Sequence, residues 1–277
     1  MTNPPEASAG SRAPSSRASR MPVVFVGHGS PMHAIEDNRF SRGFATLREL
    51  VPKPEAIVAI SAHWFVNGTY LTAQPNPRTI HDFGGFPQAL YEIDYPAPGN
   101  GALARRIRAL LGEERAALST DWGLDHGTWC VLRRMFPEAD VPVIQLSIDR
   151  RLEPARHFEL ARSLGELRDE GVLLLGSGNV VHNLRDAFRR MQTGDTDTPE
   201  WARSFDATVR DAVLQHDHAA LVSLWPGYET ARLAHPTPDH FLPLLYAQAA
   251  TTDADPVRFP MEAFDLGSVS MRNIVWG

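Results

Sequence analysis

Four histidines stand in short glycine- or proline-marked segments spread along the chain: His28 in VGHGSPMH, His63 in VAISAHWF, His182 in GSGNVVHN and His240 in HPTPDHFLPLL. Neutral imidazole is the commonest side-chain ligand for divalent transition metals and a base that works near neutral pH. Two of the four directly follow an apolar run that reads as a buried strand, and a third lies a few residues past one. In α/β folds, residues distant in sequence converge where strands end and loops begin. The pattern predicts a mononuclear metal enzyme.

Most of the 11 histidines need no such role. His216 and His218 have metal-like spacing but no strand beside them, and read as surface residues. His157 falls inside an amphipathic stretch, at the surface or the edge of the core. His33 reads as a structural residue of its loop. His28 differs, because the glycines on both sides permit a sharp turn and close approach of another group. The glycines before His182 suggest a phosphate cradle as an alternative, but the GxxxxGK[ST] and GxGxxG patterns are both missing. Around His240, His235 is a competing candidate and Asp239 a carboxylate partner. His126, in LDHGTW, reads equally as a helix cap or an active-site acid/base.

The elements that must position these residues follow from hydrophobic period. Strands are predicted over Met21–Gly27, Ala56–Ser61 (ending at His63), Thr69–Ala73, Val141–Ile148, Val172–Gly176 and Val269–Val275. Helices are predicted over Ser41–Val51, Gly101–Leu111, Thr128–Met135, Pro199–Gln215, Ala219–Leu224 and Phe241–Ala250. One long helix is predicted over Pro154–Glu170, stopped by Gly171. Residues 74–100 are too rich in proline and glycine for a regular element, and Phe83, Phe86, Leu90, Tyr91 and Tyr95 suggest a packed lid or pocket wall. Continuously apolar strands alternating with helices give a single-domain α/β sandwich, its central sheet mainly parallel or mixed and flanked by helices.

Composition narrows the function. The chain has 277 residues, a net charge of −6 and no dense lysine or arginine run, so nucleic acid is not an expected partner. No apolar stretch approaches the ~18 residues that span a bilayer. The single cysteine, Cys130, excludes an internal disulfide or a cysteine-rich metal site and reads as a small buried hydrophobe. Residues 1–20 read as a disordered leader without a secretory h-region, which leaves a cytoplasmic location as the default.

Taken together, GHGSPM, SAHWF, TIHDFGGFPQALYEIDYPAPG, DHGTW, VPVIQLSID, GSGNVVHNLR and PTPDHFLPLLYA occur in an order that resembles a known family. It is the DOPA-dioxygenase type of extradiol ring-cleaving dioxygenase, in the class III superfamily with the protocatechuate 4,5-dioxygenase β-subunit-like proteins. The resemblance runs from about Met21 to Gly277, which makes 21–277 one catalytic domain. It implies one divalent metal ion per chain, Fe2+ for catalysis or Zn2+ as bound, with a small catechol and dioxygen as substrates. His28 and His63 match the first two metal ligands, and His240 matches the histidine of the PTPxH segment at the metal. His182 matches a histidine that serves at the metal or, in the wider superfamily, as catalytic base. His126 matches an active-site histidine near the substrate. The wider superfamily uses two histidines and a glutamate, and here no glutamate stands in a matching motif. An all-histidine shell brings no compensating negative charge, which favours zinc.

The expected reaction is extradiol opening of a DOPA-like ring, with His182 as base, His126 as proton donor and Phe83–Tyr95 closing over the ring. Arg78, Arg185 and Arg232 are candidates for a substrate carboxylate. Two rivals use the same histidines: a zinc hydrolase, in which the metal activates water, and a non-catalytic metal-binding protein.

Overall fold

The computed structural model describes residues 20–195 and 197–277, so the leader expected over 1–20 lies outside the described residues apart from Arg20. The apolar runs become β1 (Val23–Gly27), β2 (Ala56–Val66), β3 (Thr69–Thr72), β4 (Ala116–Ser119), β5 (Val143–Asp149), β6 (Val172–Gly178), β7 (Val257–Met261), β8 (Phe264–Asp265), β9 (Val269–Ser270) and β10 (Asn273–Trp276). The helices are α1 (Arg39–Leu50), α2 (Gln88–Tyr91), α3 (Gly101–Leu111), α4 (His126–Met135), α5 (Pro154–Ala161), α6 (Leu184–Thr193), α7 (Glu200–Leu214), α8 (His218–Gly227), α9 (Ala231–Ala234) and α10 (Leu242–Ala249).

Eight strands form one mixed sheet in the order β4-β3-β5-β2-β6-β1-β10-β7. Its centre, β5-β2-β6-β1, is parallel, while β10 and β7 run antiparallel at one edge. The strand pleat divides side chains between two cores. Val23, Phe25, Val58, Ile60 and Leu174 pack beneath α3, α5, α7 and α10. Val24, Val26, Ile57, Ala59 and Leu175 pack beneath α1 and α4. Both faces are covered, which is why the central strands are continuously apolar rather than alternating. No helix of the described residues is long and apolar enough to cross a membrane.

Four expectations need correction. The strand predicted over Val269–Val275 is two: β9 pairs with β8 in a small sheet of its own, and β10 joins the main sheet. The predicted helix over Pro154–Glu170 is α-helical only to Ala161 and tightens to a 3-10 helix over Arg162–Glu170, closed by Gly171 at φ +77°. The tighter pitch stacks residues three apart, so Leu164 and Leu167 turn inward together. It also brings the buried Arg168 guanidinium to the Asp255 carboxylate at 2.6 Å. His157 is not at the surface: α10 covers it, and its Nδ1 lies 2.9 Å from the Tyr246 hydroxyl. Finally, β2 does not stop before His63 but runs through it to Val66, with a register shift against β5 between Ile60 and Phe65. Such an irregularity re-aims a side chain without ending the strand.

Candidate metal centre

The carboxyl ends of β1, β2 and β6 lie side by side, and the histidine segments meet above them. His28 leaves β1 with its backbone N–H donated to Gly178 of β6 at 3.1 Å. His240 crosses the same strand end so closely that a Cβ on Gly178 would sit 2.2 Å from the His240 carbonyl oxygen. A Cβ on Gly127 would meet the Ser61 hydroxyl at 2.6 Å and the His63 ring at 3.0 Å. Gly127 lets the first turn of α4 descend onto β2, and Gly178 lets the His240 segment cross β6. The glycines before His182 therefore serve close packing, not a phosphate cradle.

Five rings converge. His28, His63 and His240 are mutually adjacent, with ring centroids 5.0 to 5.2 Å apart. His126 lies 3.9 Å from His63 and 5.5 Å from His28. His182 stacks flat on His240, with centroids 3.4 Å apart and planes 8° from parallel. One nitrogen each of His28, His63 and His126 falls within 4.8 Å of the other two. His126 is thus in the cluster and does not cap its helix. Asp125 takes that role, its side chain accepting the Thr128 N–H at 3.2 Å.

Hydrogen positions follow from the partners. The Ser177 hydroxyl donates to the Gly127 carbonyl at 2.5 Å, so it accepts from His28 Nδ1–H at 3.1 Å. That leaves His28 Nε2 with a lone pair. Asp82 Oδ2 lies 3.1 Å from His63 Nδ1 and 3.0 Å from His126 Nδ1, while its Oδ1 accepts the His126 backbone N–H at 2.9 Å. An anionic oxygen at Nδ1 draws the hydrogen there and frees Nε2. His63 Nε2 then faces His28 Nε2 at 3.0 Å. Two lone pairs at that separation repel unless a cation lies between them. Nitrogens bound to one Zn2+ at 2.0–2.1 Å sit roughly 3 Å apart, so the donor set fits a metal ion. At the other end of the cluster, Asp239 Oδ2 meets His240 Nδ1 at 2.5 Å.

Electrostatics keep most of the rings neutral. Burial, then the neighbouring imidazoles His63 and His240, holds His28 well below the ordinary histidine range. Burial and His240 do the same to His182. His126 and His240 are lowered by burial too, against the pull of Asp82 and Asp239 respectively. His63 is the exception: burial pushes it down, but Asp82, Asp125 and Asp239 outweigh that and raise it. Asp82 and Asp239 lie low, because contact with these rings outweighs their burial. Negative charge does sit one layer out from the rings, on Asp82 and Asp239, whereas burial raises the Asp125 carboxyl. The sequence reading named Asp239 but missed Asp82, although His81-Asp82, Asp125-His126 and Asp239-His240 all pair the two residue types directly.

The remaining candidates lie elsewhere. The buried His235 ring bonds the Val180 carbonyl at 2.8 Å. His33 packs against Phe40 and Phe44, and burial lowers it to about 4. Arg78 donates to the Asp121 carbonyl at 3.2 Å, Arg232 lies against Trp225, and Arg185 is exposed on α6. Cys130 is buried, as expected. The aromatic segment divides. Phe83 meets His126 edge-on at 5.6 Å, with the half-buried Phe86 and the Tyr91 ring beside it. Leu90 and Tyr95 instead belong to the core, the Tyr95 hydroxyl donating to the Phe136 carbonyl at 2.9 Å.

Comparison with known proteins agrees with this geometry. Residues 19–273 match the LigB family, described as the catalytic LigB subunit of aromatic ring-opening dioxygenase. The chain is 47% identical over 267 residues to a 4,5-DOPA dioxygenase extradiol of Escherichia coli K12, covering 94% of this chain and 96% of the relative. A 4,5-DOPA dioxygenase extradiol of Beta vulgaris is 38% identical, with 90% and 93% covered. A crystal structure of an uncharacterized Escherichia coli K12 protein superposes with a TM-score of 0.81 at 42% identity, covering 93% of this chain and all of that one. The chain belongs to the LigB family of aromatic ring-opening dioxygenases.

Proposed function

We propose that this chain opens the ring of DOPA or a DOPA-like catechol outside the diol, with dioxygen as co-substrate and one divalent ion held by His28, His63 and His240. The observation that carries the reading is the pair of imidazole Nε2 atoms facing each other at 3.0 Å inside a buried five-histidine cluster, in a chain of this family. When bound, Fe2+ supplies Lewis acidity for the catechol oxygens and a redox path to dioxygen, whereas Zn2+ supplies only the former.

The protein's own groups do the rest. His182 is the base. It has a neutral ring, stacked on His240, and among the described residues no carboxylate touches either nitrogen to compete for a phenolic proton. His126 is the proton donor near the substrate oxygens: its Nε2, left with a lone pair because Asp82 holds the Nδ1 hydrogen, first takes up a proton and then donates it. Asp82 fixes the facing of His63 and His126 together. Phe83, with Phe86 and Tyr91, covers the catechol ring and excludes water. Residues 21–277 act as one catalytic domain.

Dioxygen uptake by iron-loaded protein, measured with DOPA and a panel of other catechols, tests the reading. Uptake matched by loss of the catechol and formation of a ring-opened semialdehyde is expected. Turnover that persists without dioxygen would overturn it and favour hydrolysis.

A further inference from the structure

The turn between α7 and α8 carries His216 and His218, and the loop after α10 brings Asp253 to them. One donor atom of each residue lies within 4.8 Å of the other two. Sequence spacing alone cannot make that association, because Asp253 arrives from a distant segment.

The three side chains stand on fastened backbone. His216 N donates to the Val213 carbonyl at 3.2 Å and Asp217 N to the Ala212 carbonyl at 2.9 Å, closing α7. This closure puts His216 at φ +51°, a left-handed conformation that glycine usually occupies. Asp217 then caps α8 through the Ala220 N–H at 2.9 Å. The His218 ring packs on Phe158, with centroids 5.0 Å apart. Asp253 lies between Thr252, whose N–H reaches Asp255 at 2.7 Å, and Asp255 itself, which Arg168 holds at 2.6 Å. Within this arrangement His216 Nδ1 is buried and lacks a hydrogen-bond partner. A buried polar atom without a partner is costly unless something else meets it.

We propose that His216, His218 and Asp253 form a second metal site, for a borderline divalent ion such as Zn2+, with water completing the coordination. Two imidazoles and one carboxylate suit Zn2+, Ni2+ or Cu2+ better than Mg2+ or Ca2+, which prefer all-oxygen sets. Bonds of about 2.0–2.2 Å draw the donors to roughly 3 Å from one another, within reach of small side-chain rotations. The ion ties the α7–α8 turn to the far end of α10, the helix whose entry carries His240. One consequence is that total zinc in the purified protein overcounts the catalytic cluster.

Dialysis of the full-length protein against excess Zn2+, followed by elemental analysis, tests the site. Wild type is expected to hold two equivalents per chain. H216A/H218A should hold one and H28A/H63A one, so the two sites are counted separately and failure of either reading shows independently. The exposed change Asp253→Asn should weaken the second equivalent at least tenfold, with circular dichroism and DOPA-dependent dioxygen uptake unchanged. A single equivalent in wild type, or a second equivalent that survives in both H216A/H218A and Asp253→Asn, overturns the proposal.

Discussion

On one side of the histidine cluster a single carboxylate, Asp82, serves both His63 and His126. On the other side Asp239 serves His240 alone, and His182 is held by stacking. Both sides are buried, so burial does not separate them; the placement of charge does. Beside Asp82, one ring is raised and its neighbour lowered. Beside Asp239, both rings are lowered, and Asp239 acts on His182 only at a distance, without a hydrogen bond. A carboxylate behind an imidazole suits a ligand, whose orientation must be kept. A ring with no fixed partner at either nitrogen suits a base, which must take a proton and release it. The comparison sets His182 apart from the four rings whose Nδ1 meets Ser177, Asp82 or Asp239.

The largest expected effect tests the ligand side. His28→Ala and His63→Ala should each remove the catalytic metal equivalent and dioxygen uptake together. Elemental analysis with the α7–α8 site also disabled gives the count, and full retention of metal in either variant refutes the centre. Next comes His182→Ala, which should retain metal and lose about 10²–10⁴ in kcat, the usual worth of general acid–base catalysis. Isolation of that variant without its catalytic metal would move His182 among the ligands and dissolve the contrast between the halves.

A smaller effect is expected from the carboxylates, and it compares the halves directly. Asp82→Asn should weaken metal binding by about 10–100-fold, as loss of a group orienting a ligand does. It should also lower kcat, because His126 loses its orientation at the same time. Asp239→Asn should weaken metal binding by a similar factor with less change in kcat of the metal-saturated enzyme. Competition with a chelator gives the affinities, and equal kcat losses in the two variants would show that Asp82 does not couple ligand to proton donor.

Much of this was legible in the sequence, for identifiable reasons. The four strands at the centre of the sheet are buried on both faces, so their apolar runs stood out, and His28 followed one of them directly. His63 was found but misplaced, because an irregular register inside a strand leaves no compositional mark. The break of the Pro154–Glu170 helix was equally hidden: a 3-10 and an α-helical segment share amphipathic spacing over so short a length, and the buried Arg168–Asp255 pair is a tertiary contact. Asp82 was missed because its partners lie 19 residues upstream and 44 downstream, which only the fold brings together. His157 was misassigned because α10, a helix distant in sequence, supplies the cover and the tyrosine that bury it.

His157 also provides the control for the cluster, being a buried histidine with neither a carboxylate contact nor a metal role. Burial lowers it to about 4, and its Nδ1 faces only the Tyr246 hydroxyl. An unfolded histidine titrates near 6.5, so between about 4 and 6.5 the unfolded chain binds a proton that the folded chain does not. Stability from this site is therefore intact above about 6.5, is lost as pH falls through that window, and changes no further below about 4. The full loss is about 3 kcal/mol for one site and roughly 2 kcal/mol by pH 5. His157→Gln removes this proton uptake while the metal cluster titrates as before. Urea denaturation at pH 7 and pH 5 should show wild type losing about 2 kcal/mol more than the variant over that interval. Equal losses would mean that His157 is protonated inside the fold, and that its burial does not outweigh the opposing pull of the Asp149 charge.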